Sequence, residues 1–566
     1  MLAALTRTPA GWRVQWADDA GWPVDEPFSV VGADGIAALE REHTPRWLWD
    51  SAAAIYPELL RTGVRLSRCV DLTQHERVLI ARAGRYGEPV SVAAQLARRD
   101  GRPAPADVTP VPTDEPGLFD AAGPATPSPT TADLLVAHRD HQRRLAAAAG
   151  SPAGETIDVD PAALRLLLAA ESASALVAAE MGHLGMPWDV GVHHGVLTGL
   201  LGPRPAPGER PAVMVRLADE IRAAFGHPVN PDSATDLRTA FRRAGFDIDS
   251  TRSWTIRQLD HPAVEPVLAY KELHRLFTAN GWNWMAQWVR DGRFRADYVP
   301  AGVVSGRWAT RGGGALQIPK VVRRAVVADP GYRLVVADAA QLEPRVLIAV
   351  SGDERLGALA AADDLYSALA QVGFAGRREN AKMALLGAMY GATSGAAGQL
   401  LATLFQQFPV AMDHVERAAR RGEQGRLVSS VLGRTSNRPG VSWWAAVDRG
   451  AAPDASPAEE ARGRQTARAW GRFTRNFVIQ GSAADWAGVW LSCLRRDLTV
   501  AVPSAELVFF QHDELMVHVP ARDADQVAGL IADTAAEAGR LVFPGAAPGW
   551  RVPVRPVVVD CYADAK

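Results

Sequence analysis

Two short apolar runs that each lead to an aspartate constrain the fold of this chain more than any other feature of its sequence. The first run, YRLVVAD, ends at Asp338, and a helical pattern follows it over residues 341–351. The second run, ELVFF, leads into QHDE, after which LMVHV again has the composition of a strand. We therefore predict a hairpin with two acids, Asp513 and Glu514, at its turn. An aspartate at a strand end is usually a solvated turn residue, so any chemistry depends on folding that brings Asp338 and Asp513 together.

Length and charge limit the class of protein. The chain has 566 residues, more than the ~250–300 at which a single hydrophobic core stops growing, so we expect several domains. It carries 61 Lys and Arg against 63 Asp and Glu, a formal net charge of -2. This balance excludes a generally basic nucleic-acid binder, but it does not exclude a protein with locally basic clefts.

Cysteine usage and hydropathy indicate the compartment. Cys69, Cys493 and Cys561 are far apart, which argues against a disulfide scaffold or a thiolate zinc site and fits a reducing cytoplasm. We see no run of ~18 apolar residues and therefore expect no membrane span. Arg7 and Pro9 interrupt the start of the chain, where a signal peptide would have an apolar core.

One predicted helix carries a face suited to a nucleotide. Arg378, Lys382, Leu386 and Tyr390 follow one another in steps of four, so a helix would align them on one side. Two cations and a stacking ring, combined with two acids able to hold Mg²⁺, suit a nucleoside triphosphate. Taken singly, Arg378 and Lys382 are typical of a solvated helix face and Tyr390 of a core aromatic, so the interpretation depends on all of them together.

In these motifs the chain resembles the family A DNA polymerases, the group of bacterial DNA polymerase I, over roughly residues 165–566. DAAQLEPR resembles the first acidic motif of that family and QHDEL the second. Ser305-Gly306-Arg307 resembles the entry to the palm, and Gly433-Arg434 resembles a Gly-Arg of the fingers. The resemblance implies a multidomain α/β fold, a right hand of palm, thumb and fingers with an antiparallel palm sheet, preceded by an exonuclease-like α/β domain.

The resemblance also implies a division of the chain. The predicted segments are a degenerate 3′–5′ exonuclease-like domain (1–100), a Pro-rich linker or loop (101–130), helices that close this domain (131–184), the thumb (185–290), the first part of the palm (291–353), the fingers (354–470) and the second part of the palm (471–566). A further loop is expected at 450–462, where the sequence is rich in Ala, Pro and Glu.

Site residues follow from the same motifs. The metal ligands would be Asp338, Ala339 through its carbonyl, and Asp513. The catalytic groups would be Asp338, Asp513, Glu514, Lys382 and Arg378. The nucleotide would contact Gln341, Glu343, Tyr366, Arg378, Lys382, Leu386 and Tyr390. DNA would contact Arg307, Arg434, Arg472, Asn476, Gln480 and His512.

Several positions depart from the family pattern. Ala339 replaces a tyrosine, Leu386 replaces an aromatic residue, and Tyr366 stands where a phosphate-binding histidine is usual. Glu379 and Gln511 are also atypical. None of these changes removes a metal ligand or the Arg378–Lys382 pair, but they leave the choice of sugar open.

The implied activity is template-directed DNA synthesis. A primer 3′-OH would attack a dNTP with the help of two Mg²⁺ ions, with Mn²⁺ as an alternative, in DNA repair or gap filling. The expected partners are primer–template DNA and dNTP; we expect no membrane, a monomer and a cytoplasmic, nucleoid-associated location. Leu118-Phe119 in the Pro-rich segment is a candidate contact for a sliding clamp, and the alternative that the sequence favours is that the pair packs against its own domain. The alternatives are a catalytically weak or inactive DNA-binding relic and a single-subunit RNA polymerase-like enzyme, against which Glu343 argues because a carboxylate near the 2′ position rejects ribose.

The N-terminal region lacks the carboxylate pattern of a proofreading exonuclease. Residues 1–100 contain no Asp-x-Glu, and only Asp71 and Asp140 stand as remnants of later acids. We therefore expect an exonuclease-like fold without proofreading, in a chain too short to include a 5′-nuclease domain.

Overall fold

The first part of the chain forms an α/β unit. The computed structural model describes residues 1–107, 128–148, 159–312, 314, 318–391 and 396–565. The elements of this unit are β1 (Leu2–Thr8), β2 (Gly11–Ala17), β3 (Phe28–Val30), α1 (Gly32–His43), β4 (Arg46–Trp49), α2 (Ala52–Arg61), β5 (Cys69–Asp71), α3 (Leu72–Arg82) and α4 (Val92–Arg99). Its sheet has the order β3-β2-β1-β4-β5, with β1 antiparallel to β2 and parallel to β4. Residues 1–100 thus have the α/β composition expected from the sequence.

Two long helices connect this unit to the rest of the molecule: α5 (Thr131–Ala148) and α6 (Pro161–Leu184). By length and composition α6 could cross a membrane, which the sequence analysis did not anticipate. However, 61% of its most apolar stretch is buried. It packs against α2, α3 and strand β5, so in this fold α6 is a core helix. The Pro-rich segment with Leu118-Phe119 lies outside the described residues.

A mainly helical region follows over residues 186–294, which includes the segment assigned to the thumb. It contains β6 (Met186–Pro187), α7 (Val190–Leu201), α8 (Ala212–Phe225), α9 (Ala234–Arg243), α10 (Ser253–Ile256), α11 (Val264–Asn280), α12 (Trp282–Trp288), β7 (Val289–Arg290) and β8 (Arg293–Phe294). Strands β6, β8 and β7 form a small sheet, and β9 (Asp297–Val299) pairs with β10 (Ala309–Arg311). The turn that carries Arg307 therefore lies between two short strands.

The C-terminal half is built on a four-stranded sheet. Its elements are β11 (Tyr332–Asp338), α13 (Leu342–Ser351), α14 (Glu354–Gly357), α15 (Leu365–Gly373), α16 (Arg378–Tyr390), α17 (Ala396–Gln407), α18 (Pro409–Glu423), α19 (Val441–Ala451), α20 (Pro457–Ala501), β12 (Glu506–Gln511), β13 (Glu514–Pro520), α21 (Ala524–Val542) and β14 (Val557–Val559). The strand order is β12-β13-β11-β14 and every pairing is antiparallel, which confirms the expected antiparallel sheet.

Helix α20 differs from the sequence expectation in two ways. It has 45 residues and begins with a capping box in which Ser456 and Glu459 satisfy each other's backbone donors. The loop expected over 450–462 is therefore reduced to the few residues between α19 and α20. The expected border between fingers and palm, 470/471, falls inside this unbroken helix. Because α20 contacts α6, α13, α16, α18, α19 and α21, it connects the regions that the sequence analysis treated as separate segments.

Candidate active site

The two aspartates of the sequence motifs meet at one end of the central sheet. Strand β11 pairs with β13 so that Asp338 lies opposite Glu514. One residue further on, the Ala339 N–H donates to the Asp513 carbonyl at 2.8 Å. Both aspartates are partly exposed rather than buried. Strand pairing therefore places two carboxylate-bearing residues side by side at a solvent-accessible end of the sheet.

The hairpin turn between β12 and β13 consists of His512 and Asp513. His512 has φ +60°, the left-handed conformation that a two-residue hairpin turn requires. Glu514 is the first residue of β13, so the turn holds one acid and not the two that the sequence predicted. The Nδ1 atom of His512 is shielded from solvent and has no hydrogen-bond partner within the described ranges. Burial and the nearby Arg307 guanidinium lower the pKa of His512.

Glu514 points into the protein. Its side chain is 5% exposed and accepts a hydrogen bond from the Tyr562 hydroxyl at 2.9 Å. Burial and the Glu514 carboxylate raise the pKa of Tyr562. This environment differs from that of the two aspartates, because an internal tyrosine partners the carboxylate. The sequence analysis missed Tyr562, which lies near the C-terminus in no recognisable motif.

Glu343 is the centre of a cluster that joins four segments of the chain. The Arg307 guanidinium donates to one carboxylate oxygen of Glu343, and the Tyr390 hydroxyl donates to the other at 2.6 Å. Gln480 of α20 also hydrogen-bonds Tyr390. Burial and the Glu343 charge raise the pKa of Tyr390. Four residues that the sequence analysis assigned to nucleotide or DNA therefore contact one another.

The N-terminal end of α16 is linked through Asp364 to Gln341, the residue before α13. Arg378 Nε donates to Asp364 Oδ2 at 2.7 Å, and Gln341 Nε2 donates to Asp364 Oδ1 at 2.7 Å. Burial by itself would raise the pKa of Asp364, but hydrogen bonds from Arg378, Ser367 and Gln341 hold it well below its usual range. The sequence analysis gave Asp364 no role. An acid placed directly before a helix was the available signal, since Asp364 also caps α15 through the Tyr366 N–H.

The remaining predicted nucleotide residues line the same helix and its neighbour. Tyr366 is 7% exposed, and the Arg378 guanidinium carbon lies 5.4 Å from the centre of its ring. Burial and the Glu343 charge raise the pKa of Tyr366 to about 12. Lys382 is half-buried and has no ion-pair partner in the part of the chain that the structure describes. Leu386 packs against the hydrophobic core.

Helix α20, which contacts α16, carries three of the six predicted DNA residues. Arg472 is exposed, and its side chain lies close to Gly391, the residue that follows α16. A Cβ added at Gly391 would lie 2.6 Å from the Cγ atom of Arg472. Asn476 is one turn further along, and its Oδ1 atom is shielded from solvent without a hydrogen-bond partner among the residues described. Arg472, Asn476 and Gln480 thus follow one side of α20 next to the cluster around Glu343.

The structure corrects the role that the sequence predicted for Arg434. It was expected to contact DNA, but its residue is 6% exposed and its guanidinium is enclosed by two carboxylates. Nε donates to Asp485 Oδ1 at 3.0 Å, and Nη2 donates to Glu171 at 2.5 Å. A guanidinium neutralised inside the protein cannot contact a phosphate, so Arg434 has an internal role. Its partners, Glu171 of α6 and Asp485 of α20, carried no signal in the sequence.

The acids of the N-terminal unit serve local structure. Asp71 is 1% exposed and accepts hydrogen bonds from the backbone N–H groups of Ala52 at 2.7 Å and Gln74 at 2.9 Å. Burial raises the pKa of Asp71 to about 6. Asp140 pairs with Arg143 and Arg144. No group of three or more His, Cys, Asp or Glu able to hold a metal ion occurs within the described residues.

Comparison with solved structures defines the class of the fold. The chain is similar to the POL domain of Pol1 from M. smegmatis, solved in complex with DNA primer-template and dNTP, with a TM-score of 0.72. The match covers 100% of this chain and 95% of that chain at 18% sequence identity. The architecture is therefore that of a polymerase domain, which confirms the expected fold class.

The sequence then identifies the family. The model of DNA polymerase family A matches residues 209–554, and the chain belongs to this family. It is 28% identical over 377 residues to DNA polymerase I of Chloroflexus aurantiacus, a match that covers 58% of this chain and 38% of that protein. It is 27% identical over 375 residues to the thermostable DNA polymerase I of Thermus aquaticus, with 59% and 42% covered. The chain thus spans about two fifths of the length of these relatives.

Proposed function

We propose that this protein is a template-directed DNA polymerase that adds dNMP to a primer 3′-OH, in DNA repair or gap filling in the cytoplasm. One observation carries the proposal: strand pairing and the hydrogen bond from the Ala339 N–H to the Asp513 carbonyl set two partly exposed aspartates side by side. Family membership supports it, as does the solved relative that binds DNA primer-template and dNTP.

The oxygen ligands at this end of the sheet suit divalent cations. Asp338 and Asp513 offer hard carboxylate oxygens, and Mg²⁺ is usually bound by one or two carboxylates together with substrate phosphates. We therefore assign Asp338, Asp513 and the Ala339 carbonyl as the residues that would hold two metal ions. Bound there, such ions would lower the pKa of the primer hydroxyl and stabilise the departing pyrophosphate.

The chain's own residues would bind and orient the substrates. Lys382 would contact the triphosphate as a point charge, and Arg378 would do so as a planar donor. Arg378 is now paired with Asp364, so nucleotide phosphate would compete with that carboxylate. Glu343, held by Arg307 and Tyr390, would face the sugar and disfavour a 2′-OH.

The proposal is tested by primer extension with Asp338→Asn and Asp513→Asn. Each substitution removes a carboxylate charge while it keeps the shape of the side chain, so we expect extension to fall by at least about 10³-fold, a loss of ~4 kcal/mol of transition-state stabilisation. Asp525→Asn, an exposed acid on α21, is the matched control and should retain full activity. Extension that survives in both site variants would refute the assignment.

The same assay addresses the alternatives and proofreading. Extension with NTPs rather than dNTPs would favour an RNA polymerase-like enzyme, and no extension by the wild type would favour an inactive relic. We infer that proofreading is absent, because Asp71 is occupied by two backbone donors. Metal-dependent shortening of the primer by the Asp338→Asn variant would contradict this inference.

A further inference from the structure

The turn that carries Arg307 rests on a buried guanidinium. The Gly306 N–H donates to the Val303 carbonyl at 2.8 Å, and the Val303 N–H donates to the Arg307 carbonyl at 3.2 Å. Gly306 has φ +85°. A Cβ at this position would overlap the guanidinium of Arg434. The backbone of the turn therefore lies directly against Arg434, at a distance that only glycine permits.

Arg434 is itself held from several sides. Its guanidinium binds Asp485 and Glu171, which are 1% and 6% exposed. Its backbone closes a tight loop in which the Ser430 N–H donates to the Arg434 carbonyl at 2.8 Å and the Ser430 hydroxyl accepts from the Arg434 N–H at 2.9 Å. Because burial makes these charged contacts costly to break, Arg434 is a rigid support rather than a mobile side chain.

The N-terminal unit reaches the same loop. Arg82, at the end of α3, donates to the Gly433 carbonyl at 3.2 Å. Glu171 belongs to α6, which packs against that unit. The support beneath Gly306 therefore includes residues far outside the acidic motifs.

The backbone of this turn sets the position of the Cα atom of Arg307 and therefore the direction of its side chain. Arg307 follows Gly306 directly, and its guanidinium donates to Glu343, the residue that Tyr390 also contacts. A rotation of the turn would move Arg307 away from a carboxylate that has only one other described side-chain donor, Tyr390.

We propose that Arg434 is a positioning residue for substrate recognition: packed under Gly306 and fixed by Glu171 and Asp485, it aims Arg307 at Glu343. This inference rests on the proposed function, since it assigns Glu343 to the nucleotide sugar. It predicts that Arg434 governs dNTP affinity and sugar choice without touching DNA or nucleotide.

Two variants test the proposal by different routes. Gly306→Ala adds a methyl group against Arg434 and removes no charge, and Arg434→Lys keeps the charge but loses the planar fork. We expect each to raise the KM for dNTP by about tenfold and to reduce the preference for dNTP over NTP by a similar factor, with kcat changed less than about threefold. The control is Gly331→Ala, at φ +83° with open space around it, which introduces similar backbone strain without a contact.

A double-variant comparison separates positioning from general destabilisation. If Arg434 acts through Arg307, Gly306→Ala should change KM and sugar preference no further in an Arg307→Ala background. The inference is overturned if folded Gly306→Ala and Arg434→Lys proteins match Gly331→Ala in both quantities, or if their effects add fully to those of Arg307→Ala.

Hydrogen exchange tests the position of the turn without any measurement of polymerase activity. We expect amides of residues 303–307 to exchange at least about fivefold faster in Arg434→Lys than in the wild type, with peptides from β11 unchanged. If the wild type extends no primer, the proposed polymerase activity fails, yet the exchange data still decide whether Arg434 holds the turn. Unchanged exchange at 303–307 would overturn the positioning role.

Discussion

Glu343 shows how the side chains of the candidate site hold one another in place. It accepts from Arg307 on one oxygen and from Tyr390 on the other, so its carboxylate cannot rotate without losing a hydrogen bond. Its side chain is 12% exposed. Hydrogen bonds to charged groups contribute roughly 1.5–3 kcal/mol, which is enough to hold one orientation. Under the proposed function, a carboxylate fixed in this way would exclude a 2′-OH rather than move aside.

Replacing Glu343 should relax the choice of sugar. We expect Glu343→Ala to reduce the ratio of kcat/KM for dNTP over NTP by roughly ten- to a hundredfold, the equivalent of about 1.4–2.8 kcal/mol. The measurement is steady-state extension with each nucleotide type. Glu354→Gln, an exposed glutamate on α14, is the control and should leave the ratio unchanged. An unaltered ratio in Glu343→Ala would show that another residue selects the sugar.

Helix packing sets the position of α16 and α20 at the scale of elements. Gly422 of α18 lies against Thr474 of α20, and a Cβ at Gly422 would overlap the threonine side chain. Thr474 also donates to the Ala418 carbonyl at 2.8 Å. One residue further on, Arg475 donates to the Ala388 carbonyl of α16 at 3.0 Å. The close approach of α18 to α20 therefore supports the end of α16, where Tyr390 lies.

A methyl group at this contact should destabilise the protein. We expect Gly422→Ala to cost about 1–3 kcal/mol, because a packed helix interface cannot absorb the added volume. Gly529→Ala on α21, where nothing lies near the added Cβ, should instead be neutral or stabilise by about 0.4–1 kcal/mol. Urea unfolding followed by circular dichroism measures both changes. Equal midpoints for the two variants would contradict the close contact.

At the scale of the whole molecule, the N-terminal unit is joined to the C-terminal half by buried charge. Arg495 of α20 donates to both oxygens of Glu180 in α6, at 3.0 and 2.7 Å, and to the carbonyls of Leu66 and Ser67. The Tyr56 hydroxyl donates to Glu180 at 2.7 Å. Burial by itself would raise the pKa of Glu180, but Arg495 lowers it to about 2. The two regions are therefore held together and are not independent modules.

Replacing Arg495 should lower the free energy of unfolding, because it removes contacts between the N-terminal unit and α20. We expect Arg495→Met to cost about 3 kcal/mol, because the buried Glu180 would keep only the half-exposed Arg65, at 3.2 Å, as a charged partner. The neighbouring Arg496 forms a largely exposed pair with Glu537, and Arg496→Met should cost at most ~1 kcal/mol. Because the folded-state pKa of Glu180 is depressed, its contribution is complete above about pH 4.5 and is lost as pH falls towards 2. Thermal unfolding of both variants between pH 7 and pH 3 measures these changes in stability. An equal loss of stability in Arg495→Met and Arg496→Met would contradict the role of the Arg495–Glu180 pair.

Part of the candidate site could be predicted from the sequence because its signals are local. Strand β11, the hairpin of β12 and β13, and the face of α16 each depend on periodicity within one short segment, which a single sequence records. Acids at strand ends and cations in steps of four thereby predict Asp338, Asp513, Arg378 and Lys382 as candidate site residues.

Only the tertiary structure decided which charged side chains are internal. Arg434 has the sequence context of a surface cation, yet Glu171 and Asp485 enclose it; Asp364 and Tyr562 stand in no motif, yet they bind Arg378 and Glu514. The same holds for α6, whose apolar length fits a membrane but which packs inside the protein. The physical reason is that burial and charge pairing depend on residues brought together from distant parts of the chain, whereas hydrophobic periodicity depends only on neighbours.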